Sequence, residues 1–161
     1  MAAAIRDLAP EDLEWVHALN EAHARELAAL PADAFAALVA GARHARIVEE
    51  AAAFLLAFDR KPAPVSPNFD WFATRYSNFF YIDRVAVGAS FRRRGLAMAL
   101  YEDLFVSARA AGVERVAAEV NADPPNPASH AFHRRLGFQP VGKAYLADRD
   151  KTVTYYLREL G

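Results

Sequence analysis

Three consecutive arginines, Arg92, Arg93 and Arg94, stand directly before Gly95 in the stretch "ASFRRRGLAMAL". The stretch follows the apolar run "YIDRVAV" and opens a pattern with leucines four residues apart, which is typical of a helix. The first amides of a helix lack partners inside it and attract anions, and guanidinium groups add charge-assisted hydrogen bonds. The pattern therefore predicts a phosphate-binding turn, with a solvated surface turn as the alternative.

The turn has the form R-x-x-G-x-A, from Arg92 to Ala97. It matches neither the P-loop signature nor the dinucleotide signature G-x-G-x-x-G. Gly95 and Ala97 are small, and a small residue allows the backbone to approach a ligand oxygen closely. The sequence therefore predicts a cradle of main-chain amides for a diphosphate.

A second motif, "NPASHAFHRRLGF", begins at Asn126 and predicts a helix. Asn126 is suited to the N-cap, Pro127 to the first turn, and Gly137 to the position just past the end. Ser129 and His133 are four residues apart, so they share one face of this helix.

The two motifs together resemble the GNAT superfamily of acyl-CoA-dependent N-acetyltransferases. That family carries [QR]-x-x-G-x-[GA] after its fourth strand and a segment like N-x-x-[AS]-x-x-[LF]-Y-x-x-x-G-F in its last helix. The resemblance implies a three-layer α/β/α fold of the α+β class. Its mixed, mostly antiparallel sheet would have six to seven strands, with a splay between the fourth and fifth. It also implies transfer of an acetyl group from acetyl-CoA to an amine acceptor, a small molecule or a protein amine.

The resemblance also implies which residues bind coenzyme A. They lie on the fourth strand, in the basic turn and on the last helix: Val85, Ala86, Val87, Arg92, Arg93, Arg94, Gly95, Leu96, Ala97, Asn126, Ser129 and His133. The tyrosine that often protonates the leaving thiolate in the family is replaced here by His133. His133 either donates that proton or only hydrogen-bonds near the pantetheine arm.

Two carboxylates, Asp83 and Glu119, lie in otherwise apolar predicted strands. A buried carboxylate is unfavourable unless it is paired, so each requires an explanation. Each is either the general base that takes the proton of the amine, directly or through water, or a member of a salt bridge. Strand alternation predicts that Asp83 shares a face with Tyr81 and Val85, and that Arg84 points to the opposite face.

The acceptor site of the family generally lies between the first two helices and the segment before the fourth strand. Asn20 and His23 fall on the apolar stripe of a helix predicted over 10–30. They either face the acceptor pocket or are satisfied polar groups at the edge of the core.

The segment 60–80 is predicted to be a long loop with at most one helical turn, and its part 66–80 is unusually aromatic. Trp71, Phe72 and Tyr76 either form a wall for the acceptor, by apolar or cation–π contact, or belong to a satellite core or a dimer surface.

The elements that must position these residues follow the order β-α-α-β-β-β-α-β-α-β-β, and residues 1–161 are expected to form one domain. Since there is no cysteine, an acyl-cysteine intermediate is excluded and direct attack in a ternary complex is expected. The net charge of −1 argues against general attraction to nucleic acid or membrane. We expect a cytoplasmic monomer or homodimer without a metal ion. The alternative function is a non-catalytic acyl-CoA-binding sensor or assembly module.

Overall fold

The computed structural model describes residues 4–60, 67–123 and 125–161. The strands are β1 (Ile5–Asp7), β2 (His44–Val48), β3 (Ala53–Phe58), β4 (Phe79–Val87), β5 (Arg115–Asp123), β6 (Gln139–Leu146) and β7 (Lys151–Glu159). The helices are α1 (Leu13–Ala22), α2 (Ala32–Gly41), α3 (Pro67–Ala73), α4 (Leu96–Ala110) and α5 (Pro127–Arg135). No helix in these described ranges is long and apolar enough to cross a membrane.

The strands form one seven-stranded sheet in the order β1-β2-β3-β4-β5-β7-β6. Each neighbouring pair is antiparallel except β4 and β5, which are parallel. Helices α4 and α5 cover one face, where Leu100, Leu104 and Phe132 pack against the sheet. Helices α1, α2 and α3 cover the other face. The predicted mixed, three-layer α+β fold is confirmed.

The helix ends follow from local sequence. The side chain of Asn126 accepts a hydrogen bond from the Ser129 amide at 3.3 Å, so the predicted cap of α5 is present. Gly112 follows α4 with a φ of +75°, a conformation that glycine adopts without steric cost. The helix predicted over 10–30 is shorter than expected, because α1 ends at Ala22 and His23 at its C-cap leaves the helical conformation, with a φ of −110° and a ψ of 27°.

β4 and β5 separate after a short paired stretch. Only Phe79–Tyr81 pairs with Arg115–Ala117, and both strands continue well beyond that ladder. Main-chain groups of β4 past Tyr81 therefore face a gap instead of β5. This is the predicted splay, and it opens the sheet next to Asp83 and Glu119.

A β-bulge in β4 overturns the predicted alternation. Leu56 pairs with Arg84 while Ala57 pairs with Ile82, so Asp83 is an extra residue in the ladder. Because one extra residue exchanges the faces of all that follow, Tyr81 and Val85 pack on opposite faces. The prediction that Asp83 and Arg84 point apart is also wrong, since Arg84 Nε donates to Asp83 Oδ2 at 3.1 Å.

The aromatic segment before β4 contains α3, a longer helix than the single turn predicted there. Phe69 and Phe72 of α3 pack into a cluster with Tyr81 and Tyr155 of the sheet. Residues 61–66, the proline-rich start of the predicted loop, lie outside the described residues.

Candidate functional site

A cavity of about 530 Å³ lies at the gap between β4 and β5. Its walls come from both faces of the sheet, because the separated strands leave a passage through it. The predicted site residues that line it are His23, Asp83, Val85, Ala86, Val87, Arg92, Ala97, Glu119, Asn126, Ser129 and His133. The fold thus brings most of the predicted site into one space.

Several predicted site residues do not line this cavity. Arg93, Arg94, Gly95 and Leu96 belong to the turn between two lining residues, Arg92 and Ala97.

Asn20 lies behind the cavity wall and is fully buried. Trp71, Phe72 and Tyr76 lie in the aromatic cluster around α3. The structure places these four side chains in supporting packing beside the cavity.

The basic turn presents unpaired main-chain amides. Arg93 and Gly95 have φ angles of +65° and +72°, so the backbone curves sharply before α4. The first helical hydrogen bond runs from the Ala99 amide to the Gly95 carbonyl at 3.0 Å. The amides from Gly95 to Met98 donate to no acceptor within the described residues. Such a concave set of N–H groups at a helix N-terminus binds anionic oxygens.

The last part of β4 leaves one edge of its backbone open. Val85, Ala86 and Val87 pair with β3 on one side. On the other side the ladder to β5 has already ended at Tyr81. Buried main-chain groups require partners, so this edge is suited to a ligand with amide and carbonyl groups.

His133 is held by two hydrogen bonds on the α4–α5 side of the cavity. Its Nδ1 lies 2.8 Å from the Ser129 carbonyl oxygen, which can only accept, so Nδ1 carries the proton. Nε2 therefore accepts from the Tyr101 hydroxyl, at 2.8 Å. Burial lowers the pKa of His133, which favours the neutral ring. In this state both ring nitrogens are occupied.

Glu119 lies on the other side of the passage and accepts two hydrogen bonds. Tyr81 donates its hydroxyl to Oε2 at 2.8 Å, and Asn68 donates Nδ2 to Oε1 at 3.1 Å. Burial, followed by the nearby charge of Asp83, raises the pKa of Glu119 to about 7. A carboxylate with such a pKa is suited to accept a proton near neutral pH.

Asp83 has a different environment because it is paired with Arg84. The Arg84 guanidinium also donates to Asn20 Oδ1 at 2.8 Å and to the Ala28 carbonyl at 2.6 Å. Burial raises the pKa of Asp83, and Arg84 opposes this shift. Through these hydrogen bonds, Arg84 joins the bulge in β4 to α1 and to the segment that follows it.

Sequence reasoning missed Asn68, Tyr81 and Tyr101 as lining residues. Asn68 lies in a stretch without hydrophobic periodicity. Tyr101 lies within the apolar pattern of α4, where an aromatic residue indicates only packing. Tyr81 alone carried a signal, because it precedes Asp83 by two residues on the same strand.

Comparisons with known proteins agree with this geometry. A family model described as the acetyltransferase (GNAT) family matches residues 5–138. No curated protein sequence matches the chain.

Among solved structures, an N-acetyltransferase from Staphylococcus aureus Mu50 has a TM-score of 0.75 and 23% identity, and the alignment covers 100% of both chains. Arabidopsis thaliana NAA60 in complex with acetyl-CoA has a TM-score of 0.74 and 20% identity, over 98% of this chain and 99% of that one. The ribosomal-protein-S18-alanine N-acetyltransferase from Escherichia coli has a TM-score of 0.71 and 19% identity, over 99% and 95%. At these identities the similarity shows the fold.

Proposed function

The chain belongs to the acetyltransferase (GNAT) family, and from this membership we propose that it transfers an acetyl group from acetyl-CoA to an amine acceptor in a ternary complex. The observation that carries the proposal is the single cavity that joins unpaired amides of the basic turn to the carboxylate of Glu119. A diphosphate site and a proton acceptor in one passage are what thioester aminolysis requires. The acetyl-CoA complex of the Arabidopsis protein supports the same cosubstrate.

The residues present fit coenzyme A. The amides from Gly95 to Met98 would hold the diphosphate, and Arg92, Arg93 and Arg94 would supply positive charge around it. The open edge of Val85–Val87 would hydrogen-bond the amides of the pantetheine arm.

Across the cavity from β4, the pantetheine arm would contact Ser129, His133 and Asn126, the cap of α5. A thioester bound there would lie in the gap between the strands.

We assign the general base to Glu119. An alkyl ammonium ion has a pKa of about 10.4, so the acceptor must lose one proton before its nitrogen can attack and a second when the amide forms. Glu119 takes the first proton, directly or through water. The amine nitrogen then bonds to the thioester carbonyl carbon, the carbon–sulfur bond breaks, and the second proton passes through solvent to the departing thiolate. An unpaired N–H of Val85–Val87 would stabilise the negative charge on the carbonyl oxygen.

Asp83 and His133 take lesser roles in this proposal. Because Asp83 is held in an ion pair with Arg84, it shapes the site beside Glu119, which accepts the proton. The neutral ring of His133 donates its only N–H to the Ser129 carbonyl, so it has no proton for the leaving thiolate. We therefore assign His133 a contact with the pantetheine arm. The thiolate leaves without a proton from this side chain.

We expect the acceptor to enter on the side of His23, beside the turn after α1. Asn20 supports this part of the cavity through its hydrogen bond with Arg84, whereas Trp71, Phe72 and Tyr76 pack in the aromatic cluster around Tyr155. A cytoplasmic location, a monomeric or dimeric state and the absence of nucleic-acid binding stay predictions from the sequence.

The test is acetyl-CoA turnover by the purified protein against a panel of small-molecule and peptide amines, measured as the release of free thiol. We expect amine-dependent turnover together with mass-spectrometric acetylation of the acceptor. Tight coenzyme A binding without turnover on any amine would contradict an enzyme and favour a sensor or assembly module. Absence of coenzyme A binding would contradict both.

A further inference from the structure

We propose that Asn68 is a positioning residue for Glu119, and that Tyr155 fixes which end of the Asn68 amide faces the carboxylate. The catalytic part of this inference rests on the proposed function, since Glu119 is the base there. The structural part is independent of any acceptor.

The hydrogen bonds of Asn68 define its orientation. Asn68 is 3% exposed, so both ends of its amide need partners inside the protein. The Tyr155 hydroxyl donates to Asn68 Oδ1 at 2.8 Å, and this leaves Nδ2 to donate to Glu119 Oε1 at 3.1 Å. If the amide turned over, its oxygen would face the carboxylate. Tyr155 therefore selects the orientation that stabilises ionised Glu119.

The aromatic cluster holds Tyr155 in place from outside. Trp71 stacks on the Tyr155 ring with 4.3 Å between centroids, and Phe72 meets the same ring edge-to-face at 5.2 Å. The Arg75 guanidinium covers the outer face of Trp71, 4.1 Å from a ring centroid. The aromatic residues of α3 thus act on the site through a chain of contacts that ends at Asn68.

Other groups also set the charge state of Glu119. The titratable groups that face it are Asp83 and Tyr81 on β4, Tyr155 and Lys151 on β7, and Tyr101 on α4. Asn68 differs from them because it does not titrate and because another residue controls its orientation. Its loss should change the proton affinity of Glu119 without adding or removing a charge.

The experiment measures the pKa of Glu119 by carbon-13 NMR of its carboxyl group, and in parallel the pH profile of kcat/KM. We expect Asn68→Ala and Tyr155→Phe each to raise this pKa, by about one unit for Asn68→Ala, which lowers kcat/KM about tenfold at pH values below it. KM for acetyl-CoA should be unchanged. The double variant should shift the pKa no further than Asn68→Ala alone, because the Tyr155 hydroxyl is uncharged near neutral pH and its hydrogen bond goes to Asn68 and not to Glu119.

Tyr156→Phe is the matched control. Tyr156 is the next residue on β7 and is equally buried, but it points to the other face, where its hydroxyl lies 2.7 Å from His130 Nδ1. Its loss should not move the pKa of Glu119. Equal shifts in Tyr155→Phe and Tyr156→Phe, additive shifts in the double variant, or no shift in Asn68→Ala would overturn the proposal. If the wild type acetylated no amine, the proposed function would fail while the NMR titration would still decide this inference.

Discussion

The two halves of the cavity are built in different ways. The part that we propose for coenzyme A, here called the cofactor half, consists of Val85–Val87, the turn Arg92–Ala97 and the start of α5, and it offers mainly main-chain groups. The acceptor half consists of Asp83 and Glu119 with the segments around them, and it offers side chains from α3, β4, β5, β7 and the turn after α1. Binding through main-chain groups in the cofactor half depends on the local conformation of the chain. The arrangement of side chains in the acceptor half depends on contacts between distant segments.

This difference concerns charge as well as connectivity. In the cofactor half, positive charge comes from the exposed Arg92, Arg93 and Arg94 and from the unpaired amides at the start of α4. In the acceptor half, Glu119 is enclosed and shares its surroundings with Asp83, so its ionised form is unfavourable there. Substitutions that weaken coenzyme A binding should therefore differ from substitutions that lower the rate of acetyl transfer.

The largest expected effect is that of Glu119→Gln. Removal of a general base typically lowers the rate by about 10² to 10⁴-fold. We expect a loss of kcat/KM in this range, while the affinity for coenzyme A in calorimetry stays unchanged. In the wild type, kcat/KM should rise with pH through about 7, because Glu119 must be ionised to accept a proton.

Glu159→Gln serves as the control, because Glu159 is exposed and pairs with Arg115 at the far end of the sheet. A Glu119→Gln variant with near-normal turnover would transfer the role of base to Asp83 or to water.

Gly95→Val should act on the other half. The φ of +72° at Gly95 disfavours valine, so the turn must distort at the residue where the unpaired amides begin. We expect the dissociation constant for coenzyme A to rise by at least about tenfold, while the NMR pKa of Glu119 stays unchanged.

Gly112→Val is the matched control for backbone strain. Gly112 has a φ of +75°, has open space around its missing Cβ, and lies outside the cavity. Both variants should lose similar stability, but only Gly95→Val should lose affinity. Equal affinities in the two variants would contradict the amide cradle.

Gly142→Ala should damage the acceptor half from a distance. A Cβ at this position would lie 2.3 Å from Trp71 Cζ2, so the indole that stacks on Tyr155 must move. We expect a loss of about 1–3 kcal/mol in the free energy of unfolding, together with a reduced kcat/KM and an unchanged affinity for coenzyme A.

Gly41→Ala provides the comparison, since nothing lies within 4 Å of the Cβ position there and its φ is not in the left-handed region. A Gly142→Ala protein as stable as Gly41→Ala would show that Trp71 does not brace the site.

The pH dependence of stability should also be traceable to the acceptor half. The pKa of Glu119 rises from 4.5 to about 7 on folding, so its contribution is full below 4.5 and is lost as pH rises through 7. Relative to wild type, Glu119→Gln should gain stability by about 1.4 kcal/mol per pH unit between these values, on the order of 3 kcal/mol in total. Chemical denaturation at pH 5 and pH 8 measures this gain. A constant difference between the two proteins would contradict the raised pKa.

The smallest expected effect is that of His133→Gln. The Gln oxygen can accept from Tyr101 as Nε2 does, and neutral His133 has no free proton to transfer. We expect kcat to fall by less than about tenfold, well below the usual contribution of a general acid. A loss of a hundredfold or more with unchanged affinity for coenzyme A would instead assign proton donation to His133.

The local structure of the cofactor half was predictable from the sequence, because it depends on residues that are adjacent in the chain. The residue types from Arg92 to Ala97, which are adjacent in the chain, predict the start of a helix. Asn126 and Gly137 mark the ends of α5 in the same way. The splay came from the family resemblance, and the structure agrees with it.

The acceptor half was less accessible to prediction for physical reasons. A bulge leaves no mark in hydrophobic alternation, so the pairing of Asp83 with Arg84 was missed. Asn68 gains its significance only through Tyr155, which lies 87 residues further along the chain. The residues of α3 were noticed for their aromatic character, but their contacts with Tyr155 depend on tertiary packing.

The bulge in β4 also bears on how such a site arises. If Asp83 were removed, Ile82 and Arg84 would become ordinary neighbours, and every other side chain of the strand would keep the face that it now occupies. An extra residue in β4 is therefore compatible with the packed layers on either side, while the acid itself depends on its ion pair with Arg84.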